Sequence, residues 1–211
     1  MTRLFLRLVF IPVLLLTSTL LLIRAHPYAN NDLHHLLLPE DCSAPCFLGI
    51  RPGVTTITET LKLLKQSDWV GEVDDSTINN QQGFIRWDWS DRKPSWISAN
   101  TKGKIWVMDQ VVNTITIFSN FRLGETQLVL GLPEGEIVDP TQNRAGTSSL
   151  YTAFYNQKGL LLRIWQPCDV VEPYQRQVIV TYTVQSETYH YPYRNWLSDV
   201  FTICSDQNPR Q

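Results

Sequence analysis

The chain has 211 residues, 43% hydrophobic and 18% charged, with a formal net charge of −2. Those fractions exclude a disordered chain. Slight acidity without any lysine or arginine cluster also argues against a nucleic-acid partner, which needs a basic surface.

Arg3 and Arg7 precede an uncharged run from Leu8 to Ile23 that Arg24 closes. A cationic start before an apolar core is the pattern of a secretory signal. Counted from Leu4, the stretch also approaches the roughly 20 residues that span a bilayer, although Arg7 and Pro12 interrupt it. Residues 1–25 are therefore expected to be a signal peptide, cut after Ala25, or an N-terminal membrane anchor that holds the protein to the membrane if uncleaved. Basic residues ahead of the core keep the N-terminus inside and send the body out. The expected location is extracytoplasmic, secreted or anchored.

Residues 26–41, with Pro27, Asn30, Asn31, Asp32, His34, His35 and Pro39, show no lasting periodicity and read as a linker. Four cysteines follow the leader: Cys42, Cys46, Cys168 and Cys204. An even count outside the cytoplasm reads as two disulfides. Cross-links from Cys42 and Cys46 to Cys168 and Cys204 are favoured, because they would tie the start of the body to its C-terminal tail. A direct Cys42–Cys46 bridge is the alternative. Zinc is disfavoured, since C-x-x-x-C lacks a second close pair or a histidine pair.

Thr56 with Glu59 three residues later forms a capping box, and Ile57, Leu61 and Leu64 follow on one helical face. The spacing predicts a helix near 57–66. The period then changes to two. Gly83–Trp89 alternates, with Ile85, Trp87 and Trp89 on one side and Arg86 and Asp88 on the solvated other. Lys102-Gly103 is a turn signal, Ile105–Met108 a second strand and Val112–Phe118 a third, rich in β-branched residues.

The order then recurs. Leu123–Leu130 can form a short helix stopped by Gly131 and Pro133, and a loop with Pro140, Asn143 and Gly146 follows. Leu150–Tyr155, Leu160–Trp165 and Gln177–Val184 read as strands, with Lys158-Gly159 as a turn. The expected fold is α+β: two tandem α-β-β-β units, residues 42–120 and 121–204 with a C-terminal tail, forming an antiparallel sheet with helices packed on one face. Residues 205–211 are expected to be a disordered end.

The stretches Gly49-Ile50-Arg51-Pro52-Gly53-Val54-Thr55-Thr56 and Leu123-Gly124-Glu125…Leu130-Gly131-Leu132-Pro133 resemble the helix openings of the BamE/SmpA–OmlA group and the β-lactamase-inhibitor-protein-like fold. The chain is also similar to uncharacterised exported bacterial proteins whose bodies begin C-x-x-P-C-(W/F)-x-G-I-x-P-G-x-T-T. The resemblance covers roughly residues 42–184 and departs at Phe121-Arg122-Leu123, where no Ser or Thr cap precedes the second helix. It implies non-enzymatic binding of an envelope or secreted protein.

No catalytic signature competes with that implication. His26, His34, His35 and His190 form no metal-ligand set. Ser67, Ser90, Ser95, Ser148 and Ser149 stand in no nucleophile elbow and no Ser-x-x-Lys pairing. No glycine-rich phosphate loop is present, and neither a cofactor nor a metal is expected. The same-face tryptophans and Ile85 are expected to fill the core beneath a helix, with Trp87, Trp89 and Trp106 as an exposed aromatic binding face the alternative. Asp88 or Asp91 in a Trp-lined cleft would instead serve a carbohydrate-active or other hydrolytic enzyme. A purely structural envelope protein is the third alternative, and the sequence sets no oligomeric state.

Overall fold

The structure, a computed structural model, describes residues 10–19, 21, 31–39, 42–79, 81–143, 146–168, 172–184 and 196–206. The chain divides into two units, Met1–Asn31 and Asp32–Gln211. In the first unit, residues 10–19 and 21 are helical and exposed. Among the described residues no helix is long and apolar enough to cross a membrane. The cleavage point at Ala25 lies outside the described residues.

In the second unit the first four strands are β1 (Val70–Asp74) and, from sequences with a two-residue period, β2 (Gly83–Trp89), β3 (Gly103–Met108) and β4 (Val111–Arg122). Strands β5 (Gly135–Asn143), β6 (Gly146–Tyr155), β7 (Leu160–Pro167) and β8 (Gln177–Thr183) follow. All pair antiparallel in one sheet of order β1-β2-β3-β4-β8-β7-β6-β5. Two meanders therefore meet through their last strands. Asp109 and Gln110, both at positive φ, make the two-residue turn between β3 and β4, the geometry whose twist suits a tight hairpin.

Two strands fall where the sequence predicts none. β1 is largely exposed at one edge of the sheet, so it carries little apolar alternation. β5 occupies the expected loop and forms the other edge, where Pro140 is tolerated because no further strand needs its missing N–H. Each meander thus has four strands. Gly103, expected in a turn, instead opens β3 beside Trp87, where an added Cβ would lie 2.0 Å from the indole ring. Gly159 does turn, at φ 62°.

The helices are α1 (Asn31–Leu37), α2 (Ile57–Gln66), α3 (Leu123–Leu130) and α4 (Trp196–Asp206). The Thr56–Glu59 capping box forms as expected, with the Glu59 amide donating to the hydroxyl and the Thr56 amide donating to the carboxylate at 3.1 Å. α3 starts without a hydroxyl cap; the Glu125 carboxylate accepts from the Arg122 amide at 2.8 Å instead. Part of the expected linker is helix α1, because Leu33, Leu36 and Leu37 at i, i+3 and i+4 share one buried face. The expected tail is likewise helical up to Asp206, with Val200 buried; residues 207–211 lie outside the described ones.

One apolar cluster joins Leu33, Leu36, Leu64, Leu123 and Val200 to alternate strand residues including Ile85, Ile105, Ile115, Val180, Leu162 and Tyr151. The Tyr182 hydroxyl, within that cluster, donates to the Leu36 carbonyl. Burial drives the Tyr182 phenol well above its ordinary pKa.

The favoured disulfide pairing is overturned. Cys42 bonds Cys46, with Cα atoms 6.2 Å apart, and Cys168 bonds Cys204, with Cα atoms 5.1 Å apart. Cys168 directly follows β7 and Cys204 lies on α4, so each bond closes its own neighbourhood instead of linking the two ends. Both bonds suit an oxidising, extracytoplasmic compartment.

Because stabilisation grows with the length of the closed loop, replacing Cys168 and Cys204 by alanine should cost about 3–4 kcal/mol, the pair Cys42 and Cys46 markedly less. Urea unfolding of the two double variants checks the ranking. Gly103→Ala should cost about 1–3 kcal/mol by forcing Trp87 aside, read as a lower urea midpoint.

Candidate functional site

The cross-strand register fixes which tryptophans can act together. Ile85 pairs with Ile105, and Phe84 pairs with Trp106. Trp87 and Trp89 therefore share the core side with Ile85. Trp87 is 1% exposed and meets Trp89 edge to face at 5.3 Å, and Trp89 meets Phe47 likewise at 6.4 Å. Trp106 is half-buried on the opposite side against Phe84, ring centroids 4.4 Å apart. The three tryptophans of the alternative binding face are divided between the two sides of the sheet, because the register sets Trp87 opposite Gly103 and Trp106 opposite Phe84.

The side that carries Trp106 is the candidate site. Following the pairings, one row runs Arg86, Lys104, Thr116, Thr181, Leu161, Phe154. The next runs Phe118, Ile179, Arg163, Thr152, Ile137. Lys104 Nζ lies 3.8 Å from the Phe84 ring centroid and the Arg86 guanidinium 5.6 Å from it, within the range of cation–π attraction. Toward β5 a cavity of about 360 Å³ opens, walled by Ile137, Leu150, Phe154 and Leu161 with Asp139 and Arg163 at its polar margin. Trp165, 45% exposed, stands on the same face. Tryptophan and arginine, both present on this half-open surface, are residue types enriched in binding hot spots.

A second cavity, of about 500 Å³, lies between α1 and the disulfide loop, lined by Asp32, His35, Cys42, Phe47, Trp69 and Trp96. Its two tryptophans meet edge to face at 5.9 Å.

The carboxylates of the alternative hydrolytic reading do not converge. Asp88 is held by Lys102 at 3.0 Å, and Asp91 is exposed in the turn after β2. Neither lines either cavity. Among the described residues no group of three or more His, Cys, Asp and Glu is placed to hold a metal. His34 and His35 are exposed on α1, and His190 lies outside the described residues.

One buried acid escapes the sequence. Glu136 is 4% exposed on the core side of β5, and its Oε1 accepts from the Tyr151 hydroxyl at 2.7 Å. Its Oε2 has no hydrogen-bond partner among the described residues. Desolvation raises the Glu136 carboxyl above the ordinary glutamate range, against the opposing pull of the Tyr151 hydrogen bond. Burial also raises the Tyr151 phenol, and the Glu136 carboxylate raises it further. This pair faces the core, away from the Trp106 side, so it bears on stability.

No family model, curated protein or solved structure matches the chain. The site accordingly rests on geometry alone. Phe84, Lys104 and Arg163 are members of it that motif searching passes over. Their signal was the two-residue period, which sets Leu161, Arg163 and Trp165 on one side of β7.

Because the folded Glu136 pKa is raised, its contribution to stability is full below the ordinary glutamate pKa and is lost as pH rises through the raised value. Glu136→Gln keeps a hydrogen-bond acceptor for Tyr151 and removes the titration. Urea midpoints compared between about pH 4 and pH 8 should show the variant gaining on the parent as pH rises. A constant difference would mean that Glu136 does not titrate differently in the folded state.

Proposed function

We propose that the chain is a non-enzymatic binding protein of the extracytoplasmic space, holding an envelope or secreted protein against the Trp106 side of its sheet. The observation that carries this is the asymmetry of the two sheet sides. One is closed by a core, whereas the other presents Phe84, Trp106 and Trp165 with arginine and lysine between them. A contiguous apolar patch left open beside polar residues is what marks an interaction surface.

We also read the two halves as tandem units, each a helix (α2, then α3) followed by a meander, with helices packed on the side opposite Trp106. The BamE-like and inhibitor-like resemblance of the helix openings points to the same arrangement. Support comes from the strand order, in which β1–β4 and β5–β8 run inward to a shared seam. It comes also from Gly103 and Gly159, which introduce the third strand of each meander. In this reading residues 1–25 deliver the body to its compartment, whether cut or retained.

Site-specific photo-crosslinking in the native host tests the reading. A photoreactive residue at Leu161 should yield a reproducible crosslinked protein, and one at the exposed Lys62 on α2 should not. Equal yields at both positions, or none at Leu161, would contradict it. Trp165→Ala should weaken the same complex by about 1–2 kcal/mol, roughly tenfold, while leaving the urea midpoint nearly unchanged.

A further inference from the structure

The open side holds three cations, Arg86, Lys104 and Arg163, that form no ion pair among the described residues. Arg86 and Lys104 are directly paired across β2 and β3, an arrangement of like charges that costs stability in a sheet. The nearby acids form no ion pair with either cation. Asp88 is taken by Lys102 at 3.0 Å. Asp74, the neighbour of Arg86 across β1 and β2, accepts from the Ser76 hydroxyl at 2.6 Å and the Ser76 amide at 3.0 Å. The Arg86 charge reaches Asp74 only through space, where with the Ser76 hydrogen bonds it lowers the carboxyl pKa. Among the described residues neither Arg86 nor Lys104 forms an ion pair. The Phe84 ring steadies both cations.

Arg163 repeats the pattern on β7. It lines the 360 Å³ cavity among Leu150, Leu161 and Phe154. Asp139 lines the same cavity from β5, two strands away, and makes no ion pair with it. Three strand steps separate Lys104 from β7, and Arg163 stands two residues beyond Leu161, the β7 member of the Lys104 row. At about 4.8 Å per strand and 3.3 Å per residue, the two cationic points lie roughly 15 Å apart. That distance is covered by about five extended residues. Lys104 and Arg163 form no ion pair with the acids of their own side, Asp74, Asp88 and Asp139, and so suit an anionic occupant. The aliphatic cavity beside Arg163 calls for an apolar side chain next to the anion.

We infer that the partner of the proposed binding side presents an acidic segment, with carboxylates about 15 Å apart that bracket an apolar side chain seated in the cavity. The inference rests on the binding role proposed above and names the chemistry of its partner. A carboxylate at Arg163 takes the guanidinium fork in two parallel hydrogen bonds. A second carboxylate relieves the Arg86–Lys104 repulsion, so part of the affinity is stored in the free protein as that repulsion.

The test uses the oxidised full chain and three fluorescent peptides identical in apolar residues, with every polar position Glu, Gln or Lys. A thymidine oligonucleotide is the fourth probe. Anisotropy titration should give the Glu peptide at least tenfold tighter than the Gln peptide, with no binding of the Lys peptide. Arg86→Glu with Lys104→Glu, and separately Arg163→Glu, should each weaken the Glu peptide at least tenfold. Arg86→Lys with Lys104→Arg should retain it within about threefold, because charge and not shape is read at that pair. Raising salt should weaken the Glu peptide progressively. Equal affinity for the Glu and Gln peptides, or indifference to the charge reversals, overturns the acidic partner. Tighter binding of the oligonucleotide than of the Glu peptide overturns it in favour of a nucleic acid. Crosslinks from Leu161 that survive all three reversals also overturn it while leaving the binding role intact. Loss of crosslinks in the unaltered chain, with the Glu preference preserved, would instead overturn the binding role and keep the anion selectivity.

Discussion

The antiparallel pairing of β4 with β8 is the constraint on which the rest of the structure depends. It runs from Thr114 opposite Thr183 to Phe118 opposite Ile179, resuming after an irregularity at Arg122 opposite Gln177. Ser119 Oγ reinforces it by donating to the Val178 carbonyl at 2.8 Å. Without the seam each meander would expose an unpaired edge and an apolar side too small to stabilise it alone. With it, the core-side row runs unbroken through Ile85, Ile105, Ile115, Tyr182 and Leu160.

The same seam decides what the other side can be. A residue's face follows from its parity, and parity is carried from strand to strand by the register. Gly103 makes room for Trp87 on the core side, and Trp106 stands on the other. Thr116 and Thr181 meet across the seam on that open side, their hydroxyls 3.4 Å apart. The seam thus sets a hydroxyl strip between the aromatic–cation corner at Phe84 and the cavity beside Arg163. Both candidate contact zones are placed by backbone pairing, on rigid strands, before any partner arrives.

Local features were legible in the sequence because their physics is local. The Thr56–Glu59 box involves residues three apart, and the alternation in Gly83–Trp89 needs no distant information. β1 and β5 were not legible, since edge strands expose their sides and lose the alternation that betrays a buried one. α1 and α4 did carry a signal, at Leu33, Leu36 and Leu37 and at Leu197, Val200 and Cys204. α1 has only seven residues set among polar ones, and α4, of eleven, follows a run of aromatic residues that masks the period. Disulfide pairing depends on where β7 ends relative to α4, a tertiary fact that spacing does not encode. The site was half legible: alternation separates Arg86 from Trp87, but only the register brings Arg86 against Lys104 and Trp106 against Phe84.

The proposed binding role and the proposed acidic partner both require that the two meanders fold as a single sheet through β4 and β8. Residue-resolved hydrogen exchange of the oxidised protein tests that claim most directly. The amides of Ile115 to Phe118 and of Ile179 to Tyr182 should exchange last and with one common free energy, as a single cooperative unit. Exchange of the seam as fast as that of the edge strands, or two halves with separate opening energies, would contradict it.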